Sequence, residues 1–135
     1  VERYKYLTPD VEIESSLEAM NQRWSIDNIK DYNSKTYFRS NRKAQAGDYV
    51  TYKFKEAVKC SMIIVETGIP NIDFYGVTDG ILEYSYNGVD FIKGAEFADN
   101  VATLHPDKPI KAVRISVTAP NDAHTLCLQD IKVVE

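Results

Sequence analysis

Alternation with a period of two dominates this chain and restricts what it can fold into. Tyr49-Val50-Thr51-Tyr52-Lys53-Phe54 is rich in aromatic and β-branched residues and reads as a strand. Val58-Lys59-Cys60-Ser61-Met62-Ile63-Ile64-Val65 reads as a longer strand, apolar enough near its end to be covered on both faces. Ile81 to Tyr86 leads through Asn87-Gly88 into Val89-Asp90-Phe91-Ile92, and Asn-Gly between such runs signals a type I′ hairpin. Ala112 to Val117 and Leu126 to Val134 complete the set. Glu12 to Gln22 is compatible with one short helix or with a strand and turn; no long amphipathic pattern occurs elsewhere.

Between the strands, Asp31 to Ala46, Thr67 to Thr78, Ala98 to Pro109 and Thr118 to Thr125 carry the turn formers. Many short strands with this punctuation predict an all-β sandwich or barrel. At 135 residues, without repeat or linker, the chain is read as one domain, residues 1–135. It opens on Val1-Glu2-Arg3-Tyr4, which reads as a piece of a longer precursor.

Charge narrows the function. Sixteen basic against twenty acidic residues give a net charge of −4, which argues against a nucleic-acid binder. Arg39, Arg42 and Lys43 form the one local basic cluster, a surface patch or a solvated loop. No apolar run reaches the ~18 residues of a membrane span. Cys60 and Cys127 suit neither a disulfide framework nor a zinc site; each lies in an apolar run and reads as a buried thiol, with a mutual bridge as the alternative.

Catalytic patterns are missing. No glycine-rich phosphate loop precedes a helix, and no serine nucleophile elbow is present. His105 and His124 lack metal-ligand spacing, and His105-Pro106-Asp107 reads as a surface turn. Among twenty acidic residues some glycosidase-like pair always exists, so that pattern carries no weight. The chain is expected to bind rather than catalyse.

Four segments in order suggest a family. Asp31-Tyr32-Asn33-Ser34-Lys35-Thr36-Tyr37-Phe38-Arg39-Ser40 resembles the discoidin, or coagulation-factor C-type, pattern Asp-Gly-Asp-x-x-Thr-x-Trp-x-Ser. Tyr84 to Phe91 resembles the family's Ser-x-Asp-Gly-x-x-Trp hairpin, Ala112 to Val117 its late Val-Arg-Ile strand, and Asp130-Ile131-Lys132-Val133 its closing Glu-Ile-x-Val. The stretches Thr36 to Arg42 and Gly47 to Val50 resemble the family 32 carbohydrate-binding modules attached to bacterial hexosaminidase- or chitobiase-type glycosidases.

The resemblance implies an eight-stranded antiparallel jelly-roll β-sandwich of the galactose-binding-like class. Its implied function is that of a non-catalytic carbohydrate-binding accessory module in a secreted, periplasmic or cell-surface glycosidase. The partners would be a galactose- or N-acetylhexosamine-type glycan and the catalytic domain of the same chain. The alternative is a structural module that packs on that domain without binding sugar. A coagulation-type membrane binder would need apolar loop spikes, and these loops are aromatic and polar.

Within the implied fold, Phe38 and Phe91 would plug the core, Thr36 and Ser40 would tie down backbone, and Arg114 would be paired with a carboxylate or carbonyls. The resemblance implies a structural cation, calcium in the first instance, on Asp31, Asn33, Thr36 and Asp130, with Asn33 standing for an acid and Tyr32 for a glycine; the alternative is an Asx-type turn without a metal. It places a sugar among the loops Asp31 to Lys43, Thr67 to Thr78 and Ala119 to Thr125. Tyr32 and Tyr75 are the candidate stacking platforms; Asn71, Asp73, Asn121 and His124 are the candidate polar partners. Glu66-Thr67-Gly68 stands where sugar-binding relatives carry an arginine.

Overall fold

The computed structural model describes residues 4–33, 35–70 and 75–135. Among the described residues ten strands follow one another: β1 (Tyr6–Leu7), β2 (Val11–Ser15), β3 (Phe38–Arg39), β4 (Tyr49–Val58), β5 (Met62–Thr67), β6 (Gly80–Ser85), β7 (Ile92–Glu96), β8 (Val101–Leu104), β9 (Ile110–Val117) and β10 (Cys127–Val134). They form two five-stranded sheets. One runs β1-β10-β5-β8 with β3 also on β10; the other runs β2-β4-β9-β6-β7, and every pairing is antiparallel. The fold is the antiparallel β-sandwich implied by the alternation. Its eight strands of four residues or more are joined by the two-residue β1 and β3, too short to show a period in sequence.

Residues alternate along β5 and β9 between the buried interior and a half-exposed outer face. Tyr52, Phe54, Phe38, Ile63, Leu82, Ile115 and Leu128 fill the space between the sheets. The Tyr52 hydroxyl, wholly inside, donates to the Gln129 carbonyl at 3.2 Å, so the ring's polar tip is not left without a partner. Lys5 and Glu135 meet where β1 pairs with the end of β10, with a backbone bond of 2.9 Å and an ion pair of 3.2 Å.

Several local expectations change. Glu12 to Gln22 takes the strand-and-turn alternative, followed by two short 3-10 turns, Gln22–Trp24 and Ile26–Ile29, capped by the Asn21 and Ser25 side chains. Ala98 to Pro109 is not wholly loop; it contains β8. The β6–β7 hairpin does not close as a two-residue type I′ turn. Gly88 has φ +83°, but the Asn87 side chain accepts from the Val89 and Asp90 N–H groups, which widens the loop to Tyr86 through Phe91.

Phe91 leaves the core as a result. It lies half-buried on the outer face, its ring 3.9 Å beneath the Arg114 guanidinium. Arg114 in turn donates to Glu83 at 3.0 Å, and Ser116 donates to the same oxygen. Burial alone would raise the Glu83 pKa, yet these bonds hold its carboxyl below the ordinary range.

Cys60 and Cys127 are both free thiols, half-buried and buried respectively. The Gly68 N–H bonds the Cys127 carbonyl at one end of the β5–β10 pair, while Ser61 bonds Val134 at the other. Seven residues of β10, about 23 Å, separate those ends, which is beyond any disulfide.

The expected basic patch is divided. Arg42 grips Asp48 with both terminal nitrogens at 2.7 Å, and Asp48 also accepts from Ser16 Oγ and the Gln45 N–H. Arg39 points elsewhere, towards Tyr75.

Candidate functional site

β3 organises the loop end of the sandwich. Phe38 and Ser40 are fully buried, and Ser40 Oγ accepts from the Leu126 N–H at 2.9 Å while donating to the Arg42 carbonyl at 2.6 Å. The residues that alternate with them, Tyr37 and Arg39, are half-exposed. Arg39 lies opposite Cys127 and sends Nε to Thr125 Oγ1 at 3.0 Å, which fixes its guanidinium 4.9 Å from the Tyr75 ring centroid. No ion pair involves Arg39 among the described residues.

Tyr75 adopts φ +68°, a left-handed conformation unusual for a bulky side chain, and its carbonyl accepts from the Cys127 N–H at 2.7 Å. Its ring meets His124 edge-on at 5.3 Å. His124 Nδ1 lies 2.8 Å from the Thr125 carbonyl and 3.3 Å from the Asn121 side-chain nitrogen, so this edge of the ring is tied to the loop that carries it. Asn121 stands 3.3 Å from the same ring; its side-chain oxygen receives the Ala123 N–H and its own N–H reaches Ala44.

Tyr75, Asn121 and His124 are therefore brought together, and Arg39 joins them. Arg39 was legible only as a basic residue; its alternation with Phe38 and Ser40 is the signal that places it outward. Nearby, Trp24 stacks on Tyr37 at 4.6 Å with Arg23 over the indole at 4.6 Å, a second aromatic group absent from the expectations. Asn71 and Asp73 lie outside the described residues. Tyr32 does not join the cluster: its hydroxyl donates to the Pro9 carbonyl, and its ring borders a groove beside β10.

Of the residues expected to hold a cation, Asp31, Thr36 and Asp130 come together, while Asn33 joins them through its backbone N–H rather than its side chain. Asp31 accepts from Thr36 Oγ1 at 2.7 Å and from the Asn33 N–H at 3.0 Å, and that N–H also faces Asp130 at 3.1 Å. Burial, and then the Asp31 carboxyl within hydrogen-bonding reach, push the Asp130 pKa up to about 7. Asp130 Oδ1 is buried without a hydrogen-bond partner. Two carboxylates facing one another around an unsatisfied oxygen suit a hard cation, which takes oxygen ligands. The Asn33 side chain is committed to a turn through the Lys35 N–H at 2.9 Å. Among the described residues no cluster contains three or more His, Cys, Asp or Glu side chains, so carbonyl and hydroxyl oxygens would complete the shell.

No family model and no curated protein matches the sequence. Solved structures match over nearly the whole chain. A family 32 module from C. perfringens NanJ in complex with galactose superposes with TM-score 0.68 at 17% identity, covering 93% of both chains. A family 32 module of a Clostridium perfringens family 89 enzyme, in complex with GalNAc-β-1,3-galactose, gives TM-score 0.70 at 13% identity over 93% of this chain and 95% of that one. CBM32-1 from a family 31 glycoside hydrolase of Clostridium perfringens gives TM-score 0.74 at 14% identity, over 98% and 99%. The chain has the fold of the family 32 carbohydrate-binding modules. Within that fold, the Arg39–Tyr75–Asn121–His124 cluster lies where the loops preceding β3, β6 and β10 meet.

Proposed function

We propose that this chain is a non-catalytic carbohydrate-binding module of a secreted or periplasmic glycosidase, of hexosaminidase or chitobiase type. The observation that carries this reading is the convergence of Arg39, Tyr75, Asn121 and His124 at the loop end. Sugar recognition needs donor and acceptor groups aimed at vicinal hydroxyls beside an aromatic ring. The terminal nitrogens of Arg39 supply paired donors in a plane fixed by Thr125, and the His124 imidazole adds a polar ring beside Tyr75. The similar modules described above were solved with galactose and with GalNAc-β-1,3-galactose, and the proposed ligand is a galactose- or N-acetylhexosamine-type glycan.

Arg39 supplies a guanidinium that Glu66-Thr67-Gly68, at the end of β5, does not. Affinity is expected at about 0.1–1 mM, roughly 4–5.5 kcal/mol, useful when the module is tethered to an enzyme on a multivalent glycan. Calorimetric titration with N-acetylgalactosamine and galactose checks this. Arg39→Ala and His124→Ala are each expected to weaken binding by about tenfold or more, with the melting temperature nearly unchanged. Wild-type affinity in both variants would reject the site.

We further propose calcium as the occupant of the Asp31–Asp130 pair. A bound dication would neutralise two facing carboxylates and supply the partner that Asp130 Oδ1 lacks. Millimolar calcium at neutral pH is expected to raise the melting temperature by about 5–10 °C, and chelator to reverse the rise. A melting temperature indifferent to both would remove calcium from this account.

A further inference from the structure

A groove of about 500 Å3 lies along the outer face of β10, between β1 and β5. Its floor is polar where the sheet's inner face is not: Ile131 and Val133 are buried in the core, while Gln129 and Lys132 turn outward. Lys132 Nζ pairs with Glu66 Oε1 at 2.7 Å across the floor, and both groups stay partly solvated. Tyrosines stand at the two ends. Tyr6, on β1, is 52% exposed and opposite Val134. Tyr32 stands beside Asp130, through the bond from the Asn33 N–H.

Tyr32 is held there at a cost. Its backbone has φ +53°, outside the ordinary range for a bulky residue, and its hydroxyl is anchored on the Pro9 carbonyl. Bulky residues in such conformations gather at ligand clamps more often than in plain scaffolding. The ring's position is thus imposed by the surroundings rather than by local preference.

We propose that this groove is a second carbohydrate site, separate from the loop end, and that it takes a neutral oligosaccharide chain rather than a single sugar. The β10 positions facing Tyr6 and Tyr32, Val134 and Asp130, are four residues apart, a span of about 13 Å along the strand. That exceeds one pyranose ring, so both tyrosines stack only on a chain of several. Between them the amide of Gln129, whose nitrogen already donates to the Thr67 carbonyl at 3.3 Å and whose oxygen accepts, joins the ammonium of Lys132 and the carboxylate of Glu66 in facing ring hydroxyls. Lys132 is offset by Glu66 and Asp130 adds a second carboxyl, so the groove carries no excess positive charge to hold an acidic glycan, which favours a neutral one.

The test titrates the isotope-labelled chain with hexaoses of β-1,4-linked N-acetylglucosamine, glucose, xylose and mannose, following backbone amides by NMR. At least one hexaose is expected to shift Gln129 and Lys132, and its disaccharide to bind at least about tenfold more weakly. Tyr6→Ala, at an exposed position, is expected to weaken the hexaose by about five- to tenfold without unfolding the chain. Arg39→Ala is expected to leave these shifts intact, which separates failure at the loop end from failure here. Three results would overturn the proposal: no shift with any of the four, shifts confined to Arg39, Tyr75 and His124, or unchanged affinity in Tyr6→Ala.

Discussion

Replacing Phe38 by alanine is expected to cost about 3–5 kcal/mol, enough to unfold much of the population at physiological temperature. Phe38 is 0% exposed and fills the core where β3 meets β10. Removing its ring forfeits the transfer free energy of the side chain and leaves a cavity bounded by strands that cannot collapse inward. Phe91 provides the contrast. It is also an aromatic of the family-like pattern, but it lies outside the core under Arg114, so Phe91→Ala is expected to cost about 1 kcal/mol. Urea denaturation of the two variants checks the pair. Equal losses would mean that the hairpin phenylalanine enters the core after all.

The Asp48 clamp carries the second large effect. Asp48→Ala removes the acceptor for two Arg42 nitrogens, Ser16 Oγ and the Gln45 N–H together, and is expected to cost about 2–4 kcal/mol. The Arg42 bonds, first among the causes, lower the Asp48 pKa to about 2 from an ordinary value of 3.8. A carboxyl with a depressed folded pKa stabilises the fold above its unfolded value. That contribution is present above about pH 4 and is lost as pH falls through 2. Because Arg42 is half-exposed, the charge accounts for only about 1–2 kcal/mol of the total. Asp48→Asn, which keeps the shape, is expected to flatten the stability profile between pH 4 and 2. An Asn variant with the wild-type acid profile would show that the clamp is not its source.

The sheets were legible in sequence because burial on one face writes itself as alternation, as in β5 and most of β9. The hairpin at Asn87-Gly88 was legible in place but not in length. A side chain that accepts from two backbone N–H groups competes with the tight turn, and propensity alone does not say which wins. That choice also decided Phe91, since a wider loop carries the ring past the core. Strands of two residues, β1 and β3, exist only through pairing with β10, and no period can reveal them.

At the site, residue type and order led to Tyr75, Asn121 and His124, which lie on loops that converge only in three dimensions. Tyr32 was grouped with them by sequence position, yet a single left-handed residue turns its ring towards Pro9 and the β10 groove. Arg39 was hidden in a run of basic residues. Only the burial of Phe38 and Ser40 on either side distinguishes it from Arg42, which is spent on Asp48.

The most direct test of the account is an NMR titration of the wild-type chain with galactose and with N-acetylgalactosamine. Saturable shifts in the millimolar range are expected, centred on the amides of Arg39, Tyr75, Asn121 and His124. If neither sugar shifts those four amides, or if the shifts fall elsewhere, the loop end is not the binding site.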